Sequence, residues 1–329
     1  MRALARLPKA HLHLHIEGAM RRGTLAELAA ERGEQPPDVR RYSSFEEFLL
    51  RYSAAARLVR TGPRESLLRV VREVVEDAVA DGAVWVEPHF NPLTYQERPE
   101  AALEVLDAVI DEGRRTAARC GIGFGVLMVA RRNADPAEAV RLAHLAARRA
   151  GEGVVAFGLA GDEARYAPEP FAEAFAVARD AGLIPAPHAG ELAGPDSVRA
   201  ALDTLGAQRI AHGVRAVEDP ALVERLTAEG VVLDVCPTSN VALGVVDSLS
   251  GHPLPLLLRA GVRCTLNGDD PLLFGSGLLD EYEIARAAMG LADPELAAVA
   301  RTSIEASGAP RDLADHALKR IDAWLDEVH

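Results

Sequence analysis

The sequence predicts a (β/α)8 (TIM) barrel with a helical lid insertion after the first strand and capping helices at the C-terminus. Short apolar segments alternate with longer amphipathic segments along the chain, and eight of the short segments have the length of strands. Strands joined by helical crossovers form a parallel sheet, which is either a closed barrel or an open, doubly wound sheet. A glycine-rich phosphate-binding turn after an early strand is typical of the open sheet. None follows here, so we expect the barrel.

Length and composition are consistent with one large core. The chain has 329 residues, of which 49% are hydrophobic and 5% are aromatic. Barrels of this length form a single domain, so we expect residues 1–329 to be one domain.

Charge and cysteine content narrow the possible partners. Lys and Arg number 36 against 49 Asp and Glu, which gives a net charge of -13. Such a surface repels phosphate backbones and anionic lipids, so we expect a small-molecule partner and neither nucleic acid nor a membrane. Three scattered cysteines (Cys120, Cys236 and Cys264) and the lack of an apolar leader favour a reducing, cytoplasmic location. We make no prediction of the oligomeric state.

The predicted elements follow from the hydrophobic pattern. The predicted strands are Ala10–His15, Ala83–Phe90, Gly123–Val129, Val154–Leu159, Ile184–His188, Arg209–His212, Val231–Val235 and Arg263–Asn267. The predicted crossover helices include Ala101–Cys120, Pro136–Ala150, Glu169–Ala181, Ser197–Leu205 and Pro220–Glu229.

The longest insertion, from Ala19 to Gly82, follows the first strand. It contains helical patterns at Thr24–Arg32, Ser44–Val59 and Arg64–Asp81, and we expect it to form a lid over the barrel mouth. Phe45, Phe48 and Leu49 have a spacing that fits either an apolar wall of this lid or ordinary core packing. After Pro271 the pattern is helical to the end.

Ionisable residues stand at the predicted strand ends, where barrel enzymes carry their catalytic side chains. His13 and His15 are two apart on a strand and therefore point to the same face. With a third His and a carboxylate they would suit Zn²⁺ and leave a position for water. His11 continues the alternation, so spacing alone leaves open which two of the three are ligands.

Each further candidate also has a structural explanation when it is taken alone. His188 and Glu191 flank a small-residue turn, and His212 ends a strand. Asp269 and Asp270 precede a proline and would fit a helix cap, but adjacent carboxylates repel unless a cation or a donor lies between them. Their combination on one barrel favours a metal-dependent active site.

In these residues the chain resembles the adenosine deaminase family of the amidohydrolase superfamily. The matching segments are residues 7–18 (LPKAHLHLHIEG), 159–163 (LAGDE), 188–191 (HAGE), 211–213 (AHG), 235–240 (VCPTSN) and 267–271 (NGDDP). The resemblance covers nearly the whole chain.

The resemblance implies a set of roles. One Zn²⁺ per chain would be held by His13, His15, His188 and Asp269. Glu191 would protonate purine N1, His212 would orient the attacking water and stabilise its charge, and Asp269 would accept its proton. The groups facing the purine would be His15, Glu17, Gly161, whose N–H would reach N3, and Asp270, which would recognise N7.

The implied reaction is deamination of a 6-aminopurine, with adenosine or 2'-deoxyadenosine as the leading substrate. Adenine or a 5'-modified adenosine is the alternative, because Glu17 stands where animal relatives carry Asp against the sugar. A purine- or zinc-binding protein without catalysis is a distant alternative, since it would need neither Glu191 nor His212.

Two sequence absences argue against other deaminase and amidohydrolase types. Val154–Ala160 lacks the lysine that bridges two metals in binuclear amidohydrolases, and no P-C-x-x-C ligand motif follows Cys236.

His89 either faces the substrate or forms a hydrogen bond with a lid residue, and the second alternative is favoured. We expect Glu163 to orient the Gly161 turn. His144, His252, His316 and His329 lie in helical or loop patterns and receive no role.

Overall fold

The computed structural model describes residues 2–40 and 42–327, so His329 lies outside the described residues. Ten strands appear in this part of the chain, and all of their pairings are parallel. They are β1 (Lys9–His15), β2 (Ala83–Phe90), β3 (Gly123–Phe124), β4 (Val126–Arg131), β5 (Val154–Ala160), β6 (Ile184–Pro185), β7 (His188–Ala189), β8 (Arg209–His212), β9 (Val232–Val235) and β10 (Arg263–Leu266).

These strands form two sheets that meet at two seams. One sheet has the order β1-β2-β4-β5-β6, with β3 beside β2, and the other has the order β10-β9-β8-β7. At one seam, β6 pairs with β5. Two residues separate β6 from β7, and β7 pairs with β8. At the other seam the His15 N–H donates to Asp269 O and the Asp269 N–H donates to His13 O, each at 3.0 Å. Backbone hydrogen bonds therefore continue around the ring, and the predicted α/β barrel is confirmed.

Two predicted strands are interrupted in the structure. The predicted strand Gly123–Val129 is divided at Gly125, where an added Cβ would lie 2.8 Å from the Trp85 ring. The predicted strand Ile184–His188 is divided at residues 186–187, because Pro187 has no N–H for the ladder.

Helices connect the strands and cover the outside of the barrel. They are α1 (Arg22–Ala30), α2 (Phe45–Arg60), α3 (Arg64–Ala80), α4 (Pro99–Cys120), α5 (Pro136–Ala147), α6 (Ala172–Asp180), α7 (Pro195–Ala200), α8 (Pro220–Glu229), α9 (Pro237–Ala242), α10 (Leu254–Arg259), α11 (Pro271–Phe274), α12 (Leu278–Ala287), α13 (Asp293–Glu305) and α14 (Arg311–Asp326). Two predicted helices change form: Glu169–Phe171 is a 3₁₀ turn before α6, and Ala201–Leu205 after α7 is a π-helical turn.

The insertion after β1 forms three helices, α1 to α3. Ser44 caps α2 by accepting the Glu47 N–H, and the aromatic face of α2 turns inward. Phe45, Phe48 and Leu49 line the cleft at the barrel mouth, and Phe48 also stacks on Phe274 at 5.3 Å between ring centroids. Both interpretations of this apolar stripe therefore hold, since it packs into the core and also walls the cleft.

Among the described residues, no helix combines the length and the apolar character needed to cross a membrane.

Candidate metal centre and active site

The C-terminal ends of the strands surround one cleft of about 350 Å³. The sequence candidates that line it are His15, Glu17, Gly161, His188, Glu191, His212, Asp269 and Asp270. The remaining candidate, His13, is fully buried and packs against His15 and His188, with ring centroids 5.7 and 4.7 Å away. We call this region the mouth.

Histidines surround the Asp269 carboxylate. Its Oδ1 lies 3.3 Å from His13 Nε2 and 3.5 Å from His15 Nε2, and its Oδ2 lies 3.8 Å from His212 Nε2. Ligand atoms of His13, His15, His89 and His188 all lie within 4.8 Å of one another. Imidazole and carboxylate groups at this spacing match the donor set of a zinc site.

Unpaired atoms in this cluster support a bound cation. His13 Nδ1 donates to Asp234 O at 3.4 Å, which directs the lone pair of Nε2 towards Asp269. His13 Nε2 and His188 Nδ1 are both buried without a hydrogen-bond partner among the described residues. Burial of such atoms is costly unless something binds them. His13, His15 and His188 therefore fit a metal ion together with His89, and Asp269 lies against His13 and His15. The assignment of His13, His15, His188 and Asp269 as one ligand set stays a prediction.

Metal binding requires neutral imidazoles, and burial provides them. Burial lowers the pKa of His15 to about 4 and holds the pKa of His188 well below its usual value. Burial opposes ionisation of Asp269, but the His13 ring beside it lowers the pKa of this carboxyl below the ordinary range. His15 and His188 thus present neutral nitrogens beside one carboxylate.

His11 is not part of this cluster. Its Nε2 accepts the Gly268 N–H at 3.0 Å, so the ring supports the segment that carries Asp269. This contact leaves His13 and His15 as the two residues of the alternation that lie against the Asp269 carboxylate.

Backbone strain is concentrated at the mouth. His212 (φ 65°) and Asp269 (φ 57°) are the non-glycine residues with positive φ among the described residues. Each such conformation costs roughly 1–3 kcal/mol and persists where the surroundings hold it. Ser239 Oγ donates to Asp269 Oδ2 at 2.7 Å and fixes that carboxylate.

Glu191 is a buried acid beside the metal cluster. Its Oε1 lies 3.5 Å from His212 Nε2, and only 4% of the residue is exposed. Burial, reinforced by the charge of Asp269, raises the pKa of Glu191 well above its usual value. This shift favours the protonated form of the side chain, the form that can donate a proton.

The turn that positions Glu191 is held by Glu163. The Glu163 carboxylate accepts the N–H groups of residues 190–193 at 2.6–3.1 Å. The prediction that Glu163 orients the Gly161 turn was therefore wrong, because its partners lie on the next loop. Sequence separation of 27 to 30 residues hid this contact.

Asp270 lies beside Asp269 and lines the cleft, and its Oδ1 is buried without a partner among the described residues. An added Cβ on Gly18 would lie 1.6 Å from that oxygen, so only glycine fits there. Burial, together with the charge of Asp269, raises the pKa of Asp270 well above its usual value. A neutral Asp270 can donate a hydrogen bond to a ligand.

Three side chains that the sequence analysis did not identify surround Glu17. Its Oε1 accepts Arg60 Nε at 2.8 Å and the Tyr95 hydroxyl at 3.0 Å, and its Oε2 accepts the Tyr52 hydroxyl at 3.1 Å. Tyr52 and Arg60 belong to α2, so the lid binds directly to the end of β1. We call Glu17, Tyr52, Arg60 and Tyr95 the Glu17 cluster.

His89 differs from its predicted contact. Its Nε2 donates to Leu12 O of β1 at 3.3 Å, and its ring stacks on His13 at 4.7 Å between centroids. The prediction of a hydrogen bond between His89 and a lid residue was wrong. β1 and β2 are adjacent, so the His89 ring lies against the histidines of β1.

A profile of the family described as "Adenosine deaminase" matches residues 8–324 of the chain. The chain is 45% identical to the putative adenosine/adenine deaminase of Streptomyces coelicolor, over 99% of this chain and 98% of that protein. It is 40% identical to the adenine deaminase of Rhizobium meliloti, over 92% and 94% of the two chains.

Solved structures show the same likeness. The adenine deaminase from Arthrobacter aurescens superposes with a TM-score of 0.89 at 29% identity, covering 97% of this chain and 99% of that one. A zinc-bound amidohydrolase from Burkholderia ambifaria superposes with a TM-score of 0.84 at 26% identity, covering 98% and 93%.

Proposed function

The chain belongs to the adenosine deaminase family of hydrolytic deaminases, and on that premise we propose that it is a zinc-dependent aminohydrolase that converts adenine to hypoxanthine and ammonia. The observation that carries the chemistry is the position of Glu191, a buried acid with a raised pKa that lies 3.5 Å from His212, beside the His and Asp269 cluster.

We assign zinc to His13, His15, His188 and Asp269. The donor set and the unpaired imidazole nitrogens support this ion, as does the zinc bound in the Burkholderia relative. When bound, zinc lowers the pKa of a water ligand from about 15.7 towards 7 and so makes water a strong nucleophile at neutral pH.

The chain's own residues supply the proton transfers. Asp269 accepts the proton of the attacking water, and Glu191 donates its proton to ring N1 as oxygen adds to C6. Asp269 then returns its proton to the amino group, the C6–N bond breaks, and ammonia leaves. The C6 hydroxyl loses its proton to Glu191 as the C6 carbonyl forms, which restores both residues. Asp270, neutral because of its raised pKa, donates to N7, and the Gly161 N–H faces N3.

The Glu17 cluster favours the free base over the nucleoside that the sequence resemblance placed first. In the resemblance, Glu17 stands at the sugar side of the purine. In the structure its carboxylate already accepts three hydrogen bonds and is 4% exposed. A sugar hydroxyl would have to compete with these donors, each of which loses its partner if displaced.

The charges around the cleft argue against a 5'-phosphate. A phosphate site needs arginines that are available to its oxygens. Here each arginine lining the cleft already pairs with a carboxylate. The pairs are Arg60–Glu17 at 2.8 Å, Arg131–Glu138 at 2.8 Å and Arg165–Asp162 at 3.3 Å.

An ammonia-release assay on the zinc-loaded protein tests the proposal. The substrates are adenine, adenosine, 2'-deoxyadenosine and AMP, with cytidine as the control for ring type. We expect kcat/KM for adenine to exceed that for the nucleosides by at least about 100-fold, the loss expected when buried polar groups are left unpaired. Faster release from adenosine would reassign the substrate to the nucleoside, and release from none of the purines would contradict the proposed reaction.

A further inference from the structure

A line of three buried side chains runs from the start of α10 to the mouth. The Leu254 N–H donates to His252 Nδ1 at 3.1 Å, and His252 Nε2 contacts Asn240 Oδ1 at 3.2 Å. Asn240 Nδ2 in turn contacts His212 Nδ1 at 3.1 Å. His252, Asn240 and His212 are 4%, 0% and 1% exposed, so water does not compete for these bonds. We call this line the relay.

The direction of each bond follows from one fixed donor. A backbone N–H can only donate, so His252 Nδ1 is an acceptor and carries no proton. Burial lowers the pKa of His252 to about 4, so the ring is neutral at pH 7 and its proton is on Nε2. That N–H donates to Asn240 Oδ1, and the Asn240 amide donates to His212 Nδ1.

The opposite orientation of the Asn240 amide fails. Amide oxygen and nitrogen are usually assigned only from their hydrogen bonds. If Asn240 were reversed, its nitrogen would donate to His252 Nε2, and both nitrogens of His252 would then be acceptors. A neutral imidazole has one N–H, so that arrangement leaves the ring without its proton.

We propose that Asn240 and His252 are positioning residues that hold neutral His212 in its Nε2–H tautomer, so that it presents a hydrogen-bond donor to the reacting atoms. His212 Nε2 lies 3.5 Å from Glu191 Oε1 and 3.8 Å from Asp269 Oδ2, and it faces the cleft. With its proton already on Nε2, His212 stabilises negative charge on the attacking oxygen and does not remove a proton from it.

The catalytic consequence of this inference rests on the proposed function, whereas the tautomer of His212 does not. It assigns the role of base to Asp269 alone, because the lone pair of His212 is on Nδ1 and is occupied by Asn240. It also gives His252, which received no role from the sequence, a place at the end of the relay.

The direct test is NMR of the zinc-loaded protein with ¹⁵N-labelled histidine, in which long-range ¹⁵N–¹H correlations distinguish protonated from unprotonated ring nitrogens. The His212 signals are assigned from their loss in His212→Gln. We expect Nε2 protonated and Nδ1 unprotonated in the wild-type protein. A proton on His212 Nδ1 in the wild-type protein would overturn the proposal.

Two variants test the effect of the relay on catalysis. In Asn240→Asp the carboxylate accepts at His212 Nδ1 and moves the proton there, so we expect kcat to fall about 100-fold or more with KM and zinc content unchanged. His252→Phe leaves the Asn240 amide unfixed, and we expect a fall in kcat of roughly 10-fold, the lower end of the effect of an outer-shell partner. His144→Phe, the same substitution on the exposed face of α5, is the matched control and should match the wild type.

A merely structural role gives a different result. In that case Asn240→Asp would lower the melting temperature while kcat and the His212 signals stayed as in the wild type, which would contradict the proposal. Failure of the proposed function is separable: an Nε2–H tautomer in a protein that deaminates none of the purines would support the relay and refute the reaction.

Discussion

Two layers of the barrel interior differ in how completely their buried polar groups are paired. Below the mouth, Arg209 is 1% exposed and donates to Glu87 Oε2 at 2.6 Å and to Asp234 Oδ2 at 2.9 Å. Further bonds to Leu12 O and Ala306 O use two more of its five N–H groups. We call Glu87, Arg209 and Asp234 the inner layer.

The carboxylates of the inner layer are equally well paired. Glu87 Oε1 accepts from Trp85 Nε1 and from the Gly308 N–H, and Asp234 Oδ1 accepts from Thr265 Oγ1. Every charge there thus meets opposite charge or a donor, which is the condition for tolerating ions in a core.

The mouth contains the opposite arrangement. Among the described residues, His13 Nε2, His188 Nδ1, His89 Nδ1 and Asp270 Oδ1 are buried without partners. The mouth also contains the two strained residues, His212 and Asp269. Saturated polar groups hold a structure in place, whereas unsatisfied ones next to a cleft are available to a metal and a substrate. The incomplete polar pairing at the mouth therefore supports its proposed role as the metal and substrate site.

Replacement of the acid at the mouth should have the largest effect. Glu191→Gln removes the proton donor but keeps the shape of the side chain, so we expect kcat to fall by about 10²–10⁴-fold. Zinc content should stay near the wild-type value, because no ligand is lost. The free energy of unfolding should not fall, because the raised pKa of this buried carboxyl already opposes folding at neutral pH. Steady-state deamination rates, metal analysis and thermal melting measure these three quantities.

Glu100→Gln, an exposed change on α4, is the matched control for that variant. A Glu191→Gln enzyme with a kcat near that of the control would remove Glu191 as the proton donor.

A substitution in the inner layer should lower the free energy of unfolding. Arg209→Met leaves Glu87 and Asp234 buried without their cation, and we expect the free energy of unfolding to fall by about 3–5 kcal/mol. The control is Arg148→Met, whose partner Glu100 is largely exposed and whose loss should cost less than about 1 kcal/mol. Chemical denaturation measures the free energy of unfolding of both variants. An equal decrease in the two would contradict the difference between fully paired buried charges and surface charges.

A buried carboxyl without a cation gives a smaller, pH-dependent effect. Glu281 accepts the Thr238 N–H at 3.3 Å, and burial raises its pKa from 4.5 to about 7. As pH rises from about 4.5 to 7 the unfolded state ionises Glu281 and the folded state does not, so this group lowers stability over that interval. Glu281→Gln should therefore stabilise the protein at pH 8 by at most about 3 kcal/mol and at pH 4.5 hardly at all.

Unfolding curves of both proteins at the two pH values measure this difference. A gain of the same size at both would show that Glu281 ionises alike in the folded and unfolded states.

The sequence predicted the regular parts of the barrel well. The bounds of β2 and β8 are as predicted, because each apolar segment stops at a residue whose preference is clear, such as Gly82 before β2 and Gly213 after β8. The break at Pro187 had a visible signal in the missing N–H. The break at Gly125 depends on the ring of Trp85 from another strand, which periodicity along the chain does not report.

The candidate site divides in the same way. Residues at strand ends were predictable, because parallel strands bring their carboxyl ends to one face. The partners that hold them were not: Tyr52, Arg60 and Tyr95 reach Glu17 from 35, 43 and 78 residues away. Asn240 and His252 likewise contact the site only in the folded chain, and no local sequence pattern indicates these contacts.

A zinc titration of the metal-free protein, followed by adenine-dependent ammonia release, tests the central claim most directly. The account predicts that the rate rises linearly to one zinc per chain and then stays constant, because His13, His15, His188 and Asp269 form one site. Full activity in the metal-free protein, or a rise that continues to two zinc ions per chain, would contradict it.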